Sequence, residues 1–279
     1  MKKNNKASTI IFTILYSILI FLVVGTNVAR ATYLNNDANK SVLVESKMAS
    51  ALEVEITTST KDILKKYQLD EKTVTRVFEQ LDLQEEISAY IDFNFKKIQY
   101  DISHRNFSML LESEFKTQFL EANKIDNGVY PEEHLKLQKN FVNEMVIAYD
   151  NQFTNSDFTN YIVQINMLYL NISNVLLWVL IVLLVSNIII QWLYWGFSRV
   201  SNCFIYGFFG SFIGTSVTIF LPWTALYPNK NPIFVNYMKC LTDRFNLLMI
   251  LYGLMIIIVV AIIYVIKYYK FYQKKNLLK

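Results

Sequence analysis

Apolar residues in this chain gather into four long runs, and the polar stretch after the first run follows a helical rhythm. The runs centre on residues 9–25, 170–193, 203–221 and 245–266. Each is long enough, or nearly so, to cross about 30 Å of hydrocarbon at about 1.5 Å per residue. The pattern predicts an all-α integral membrane protein. It has four transmembrane helices and an extracytoplasmic helical bundle inserted between the first and the second. The boundaries expected are a cytoplasmic N-terminus over 1–8, a first transmembrane helix over 9–28 and an outward domain over 29–161. A stalk and second transmembrane helix follow over 162–193, then a third over 203–221. An outward loop over 222–244, a fourth transmembrane helix over 245–266 and a basic cytoplasmic tail over 267–279 complete the chain.

Within the outward domain the apolar positions step by three and four. Val44, Met48, Leu52, Ile56 and Ile63 form one stripe, and Val74, Phe78 and Leu81 a second behind Asp70, a plausible N-cap. Ile87, Ile91, Phe95, Ile98 and Ile102 make the clearest stripe, and Leu111, Phe115 and Phe119 a shorter one. Such spacing lines one face of a helix. Asn127-Gly128 reads as a turn. Pro131 with Glu132 and Glu133 reads as a helix start, since proline suits the first position and acids suit the positive dipole end. Leu135, Val142, Met145 and Tyr149 carry that helix onward. No segment shows sustained period-two alternation and glycine is scarce, which argues against a sandwich or barrel. Four or five helices are expected.

Charge changes the picture by orienting it. The net charge of +4 conceals a split: residues 27–160 hold 22 acids against 15 Lys and Arg, while the rest holds 12 Lys and Arg and one acid, Asp243. Lys2, Lys3, Lys6, Arg199, Lys267, Lys270, Lys274, Lys275 and Lys279 fall on one side of four spans. The positive-inside rule places them, and both termini, in the cytoplasm. Trp192, Tyr194, Trp195, Tyr264, Tyr268 and Tyr269 fit an inner aromatic belt, and Trp223 and Tyr227 an outer one. Ala29-Arg30-Ala31 also fits a signal-peptidase site, whose use would leave three spans. Thr26, Asn27 and Val28 prolong the first run as a helix, so a retained anchor is expected. Cys203 and Cys240 both lie in the membrane half, on opposite sides, which excludes a disulfide framework for the outward domain.

The membrane half carries one packing motif. Gly207, Gly210 and Gly214, with Ser211 among them, place small residues where another helix backbone can approach. These four residues are the expected helix-packing site, internal or with a partner. Residues 10–25, 175–193, 203–221 and 245–266 contain no Asp, Glu, Lys, Arg or His. Proton relays and carrier sites at mid-membrane use such groups, so a carrier is disfavoured. Ser186, Asn187, Thr215, Ser216 and Thr218 are the polar residues at depth. His104 and His134 belong to no ligand-spaced cluster, and no G-x-S-x-G, Walker A or G-x-G-x-x-G pattern occurs. No catalytic residue, metal site or cofactor is expected, and the basic balance gives no argument for nucleic acid. The Lys, Asn and Ile usage suits an AT-rich bacterium.

The order of one span, a large outward domain and three closely spaced spans resembles the permeases of the FtsX and MacB type. Trp195-Gly196-Phe197-Ser198 followed by Gly207, Gly210 and Gly214 is similar to the glycine-bearing entry of their third helix. The resemblance implies an outward domain moved through stalk helices by a separate ATPase. It covers topology alone, and the charged coupling segment those proteins carry before that helix is absent here. The expected function is therefore a non-enzymatic accessory or regulatory subunit of a bacterial plasma-membrane assembly. Its partners are the lipid bilayer and a protein bound through the outward domain, the third membrane helix or both. A permease subunit is the alternative, and a channel-forming oligomer the next.

Overall fold

The computed structural model describes residues 6–96, 105–123, 132–154, 157–164, 170–219 and 231–276, and every regular element among them is helical. The helices are α1 (Lys6–Ala31), α2 (Asn36–Ser46), α3 (Met48–Ser59), α4 (Lys61–Lys66), α5 (Thr73–Gln80) and α6 (Leu83–Lys96). They continue with α7 (Arg105–Asn123), α8 (Glu132–Thr154), α9 (Asp157–Gln164), α10 (Leu170–Trp195), α11 (Phe197–Ile219) and α12 (Pro232–Asn276). Four are long and apolar enough to cross a membrane: α1, α10, α11 and α12. The chain divides into two compact units. One comprises Met1–Asn35, Leu168–Leu226 and Leu241–Lys279, the other Asn36–Met167 and Tyr227–Cys240.

The second unit is built from short helices with a common aromatic and aliphatic core. Ile56, Leu64, Ile87, Ile91, Phe107, Leu111, Phe141 and Met145 are fully buried there. The segments outnumber the four or five expected, because local chemistry interrupts them. Lys47 adopts the left-handed conformation at φ 52°, which breaks α2 from α3, and Gln68 at φ 56° ends the turn after α4. The first break re-registers the stripe. Val42 and Leu43 enter the core, and Val44, expected inside, is 57% exposed. Likewise Leu64 is buried in place of Ile63.

Asp70 does not cap α5. Its carboxylate accepts from the Lys72 amide at 3.0 Å in a turn upstream of the helix. Asp82 does cap α6, accepting from the Glu85 amide at 3.0 Å. The acidic first turn of α8 is present, but none of its residues is buried before Phe141, so Leu135 faces outward. Asn127-Gly128, Pro131, Ile98, Ile102, His104, Trp223 and Tyr227 lie outside the described residues.

Part of the expected stalk, residues 165–169, lies outside the described residues; α9 ends at Gln164, with Ile162 buried in the second unit, and α10 opens at Leu170. The supposed loop 222–244 yields to helix from Pro232 onward. Asn231 starts that helix by accepting from the Ile233 amide at 2.8 Å, with proline at its first position. Phe234, Tyr237 and Met238, spaced three and one apart, are buried in the second unit's core. Lys239, Asp243 and Arg244 dilute the local hydropathy and hide this helical face from an apolar scan.

Candidate helix-packing site

The first unit is held by close approach of α1 to α11. The two run parallel, since Tyr16, Ser17 and Phe21 meet Gly207, Gly210 and Gly214 in ascending order. A Cβ on Gly207 would stand 2.2 Å from Tyr16 Cδ1, and one on Gly210 would stand 2.6 Å from Ser17 Oγ. At Gly214 the nearest atom, Phe21 Cδ2, is 3.1 Å away. All of these are inside the ordinary carbon contact of about 3.5–4.0 Å. The missing side chains are what let the helices touch, and the contact is worth dispersion energy that lipid alone does not supply.

Aromatic rings lock the deepest point of the seam. Tyr16 is buried and stands edge-on to Phe204 at 5.1 Å and to Phe208 at 5.9 Å. Small hydroxyl side chains complete it, several of them bonded back to their own helix. Ser17 Oγ donates to the Thr13 carbonyl at 3.0 Å, and Thr13 Oγ1 to the Thr9 carbonyl at 2.9 Å. Thr215 Oγ1 donates to the Ser211 carbonyl at 2.8 Å. Ser211 is itself buried, between the seam glycines in sequence. Gly253 of α12 makes only ordinary contact, 3.5 Å from Phe212.

At the opposite end of these helices Val28, Phe245 and Met249 form a small core, with Tyr33 donating to or accepting from Thr242 at 3.0 Å. Amides lie nearer the other end. Asn187 and Gln191, one turn apart on α10, are both buried, and Gln191 Nε2 donates to Asn187 Oδ1. Asn187 Nδ2 and Ser211 Oγ have no hydrogen-bond partner among the described residues.

No family model matches the chain, and no curated protein or solved structure does. The site is therefore read from its own geometry. Its contacts, Tyr16, Ser17 and Phe21 against Gly207, Gly210 and Gly214, are those of a packing site. Among the described residues no group of three or more His, Cys, Asp or Glu side chains gathers as metal ligands would.

The sequence reading singled out α11 but did not see its partner. A signal was present: Thr9, Thr13 and Ser17 recur every four residues on α1, a ridge of small polar side chains in an otherwise bulky run.

In the second unit one surface group is electrostatically tuned. Glu144 accepts from Lys66 Nζ at 2.6 Å and from the Tyr67 hydroxyl at 2.9 Å. The Lys66 hydrogen bond, then that of Tyr67, holds the Glu144 carboxyl below its usual range. The same bond raises Lys66. Burial, then the bond to Glu144, raises Tyr67. An exposed pair of this kind orders neighbouring helices and adds little stability.

Proposed function

We propose that this chain is a non-enzymatic accessory or regulatory subunit of a bacterial plasma-membrane assembly. In this reading both termini are cytoplasmic, residues 29–161 lie outside, and the outward helical domain docks a protein partner. The observation that carries it is α12. One helix from Pro232 to Asn276 lends Phe234, Tyr237 and Met238 to the core of the helical unit and Phe245 and Met249 to that of the apolar unit. A partner docked on the helical unit thus binds a domain that shares a continuous helix with a candidate membrane span. A docking unit with such a helix suits a subunit that senses or steadies a neighbour.

The permease alternative draws less support. α10 and α11 are joined by Gly196 alone, which leaves no segment for an ATPase to grip. The test is site-specific photo-crosslinking in intact cells, with the probe at Val54 or Leu137 of the helical unit and at Val259 of α12. All three positions are exposed. The expected result is one discrete heterologous protein adduct from a helical-unit position, the same protein co-purifying in mild detergent. Adducts to lipid or to the chain itself alone would overturn the reading. Conductance of the purified protein in planar bilayers would favour the channel instead.

A further inference from the structure

The last turn of α1 carries Ala29-Arg30-Ala31, a motif that the packing site leaves unused. Its small-x-small pattern is that of a signal-peptidase site, cut between Ala31 and Thr32. Such a peptidase reads the two alanines together. In an extended chain residues i and i+2 share a face, whereas on a helix they stand about 200° apart. Here the segment is helical.

Several bonds close the end of that helix. The Thr32 amide, the nitrogen of the scissile bond, donates to the Val28 carbonyl at 3.0 Å. Thr32 Oγ1 donates to the same carbonyl at 2.8 Å, and the Leu34 amide to that of Ala29 at 3.0 Å. Packing repeats the lock. Val28 and Thr32 are fully buried, and Ala29 packs against the small core of Val28, Phe245 and Met249. Just past the bond, the Tyr33 ring lies 5.5 Å from that of Phe245, and its hydroxyl pairs with Thr242. Of the three motif residues Ala31 alone is exposed. One exposed alanine on a helix offers a protease no extended strand, so cutting here requires local opening.

We propose that the Ala31–Thr32 bond is a latent processing site for a membrane-bound signal peptidase, kept closed by the packing of α12 on the end of α1. Cleavage adds water across the amide, leaving a carboxylate on Ala31 and an ammonium on Thr32. Retention of α1 is then a property of the folded unit rather than of the motif. Chains in which α12 has not docked are substrates, and docked chains are not. Ala31 lies outside in the orientation proposed above, on which this rests, and signal peptidases cut on that side.

The test expresses the full-length chain with a C-terminal tag in cells and reads the N-terminus of the purified protein by sequencing and intact mass. Wild type should yield no chain that begins at Thr32. The variant F245A/M249A removes the two side chains packed on Val28 and Ala29 but leaves the motif untouched, and it should yield a form beginning at Thr32. Gly207→Leu, which pushes α1 off α11, should yield the same form and decides the matter if the first variant is degraded. Adding Ala31→Leu to either variant should abolish that form, which separates signal peptidase from general proteolysis. A wild-type N-terminus at Thr32 would overturn the proposal, as would a Thr32 form that survives Ala31→Leu. Uncut variants would overturn it alone if, in the same cells, cysteine at Lys136 reacts with an impermeant thiol reagent. If that cysteine does not react, the orientation fails and the latent site falls with it.

Discussion

Alanine placed in turn at each seam glycine should produce a graded series whose order follows from the distances. At Gly207 the new methyl meets Tyr16 Cδ1 at 2.2 Å, so one of them must retreat by more than about 1 Å to reach ordinary contact. Tyr16 cannot swing aside, because Phe204 and Phe208 flank its ring. Overpacking of a rigid site costs about 3 kcal/mol at the upper end, and the helix propensity of alanine returns about 1, leaving a net loss of about 2. At Gly210 the obstacle is Ser17 Oγ at 2.6 Å, which clears by rotation at the expense of its bond to Thr13. That bond is worth about 1 kcal/mol, so the gain and the loss nearly cancel. At Gly214, where Phe21 need give only a few tenths of an ångström, the variant should match or slightly exceed wild type. Gly25 has nothing within 4 Å, and Gly25→Ala serves as the control. Thermal unfolding in one mild detergent, followed by circular dichroism, reads the series. For a chain of this size Gly207→Ala should lower the midpoint by about 4–8 °C, with Gly210→Ala near neutral. If Gly207→Ala melts with wild type, or Gly25→Ala falls below it, then α1 does not pack on α11 as described.

Other perturbations probe the helical unit and the orientation. Ile91→Asp buries an unpaired carboxylate at a fully buried position and should unfold that unit at a cost of several kcal/mol, seen as a lost cooperative transition and rapid proteolysis. Tyr237→Phe removes the hydroxyl that donates to buried Asn39, and loss of that hydrogen bond should cost about 1 kcal/mol on the same melt. The Glu144–Lys66 pair should give stability a flat centre with two falling edges. The lowered carboxyl contributes above the ordinary glutamate pKa of about 4.3 and is lost as pH falls through its own lower value. The raised amine contributes below the ordinary lysine pKa of about 10.4 and is lost as pH rises through its own higher value. Glu144→Gln should flatten the acid edge, and an unchanged acid limb would assign that edge elsewhere. In a cysteine-free background, cysteine at Lys136 should react with an impermeant thiol reagent in intact cells and cysteine at Asn276 should not; the reverse pattern inverts the orientation.

The membrane helices were legible because hydrocarbon sets a length, and helices such as α10 meet it with a run free of charged residues. Stripes were legible wherever one helix kept its register, as at Ile87 and Ile91 or Val142 and Met145. They failed at Val44, because nothing about lysine announces that Lys47 takes a left-handed conformation. The helical entry of α12 was missed for a different reason. Its buried face of Phe234, Tyr237 and Met238 sits between Asn231 and the charges at Lys239, Asp243 and Arg244, and average hydropathy cannot see a stripe. As for the seam, Gly207, Gly210 and Gly214 declared that something comes close. Only the structure identifies Tyr16, Ser17 and Phe21 as that something, since a single helix does not encode its neighbour.

The link between α10 and α11 has a consequence for how the chain enters a bilayer. Gly196, at φ 74°, is the whole connection, and glycine takes that conformation without strain where other residues do not. Only Ser198, Arg199, Ser201 and Asn202 give the chain polarity at the junction of the two candidate spans, so a tight hairpin is the form in which they enter a bilayer together. Lengthening the turn with a few polar residues would uncouple the two steps, and insertion order rather than final stability would then be what suffers.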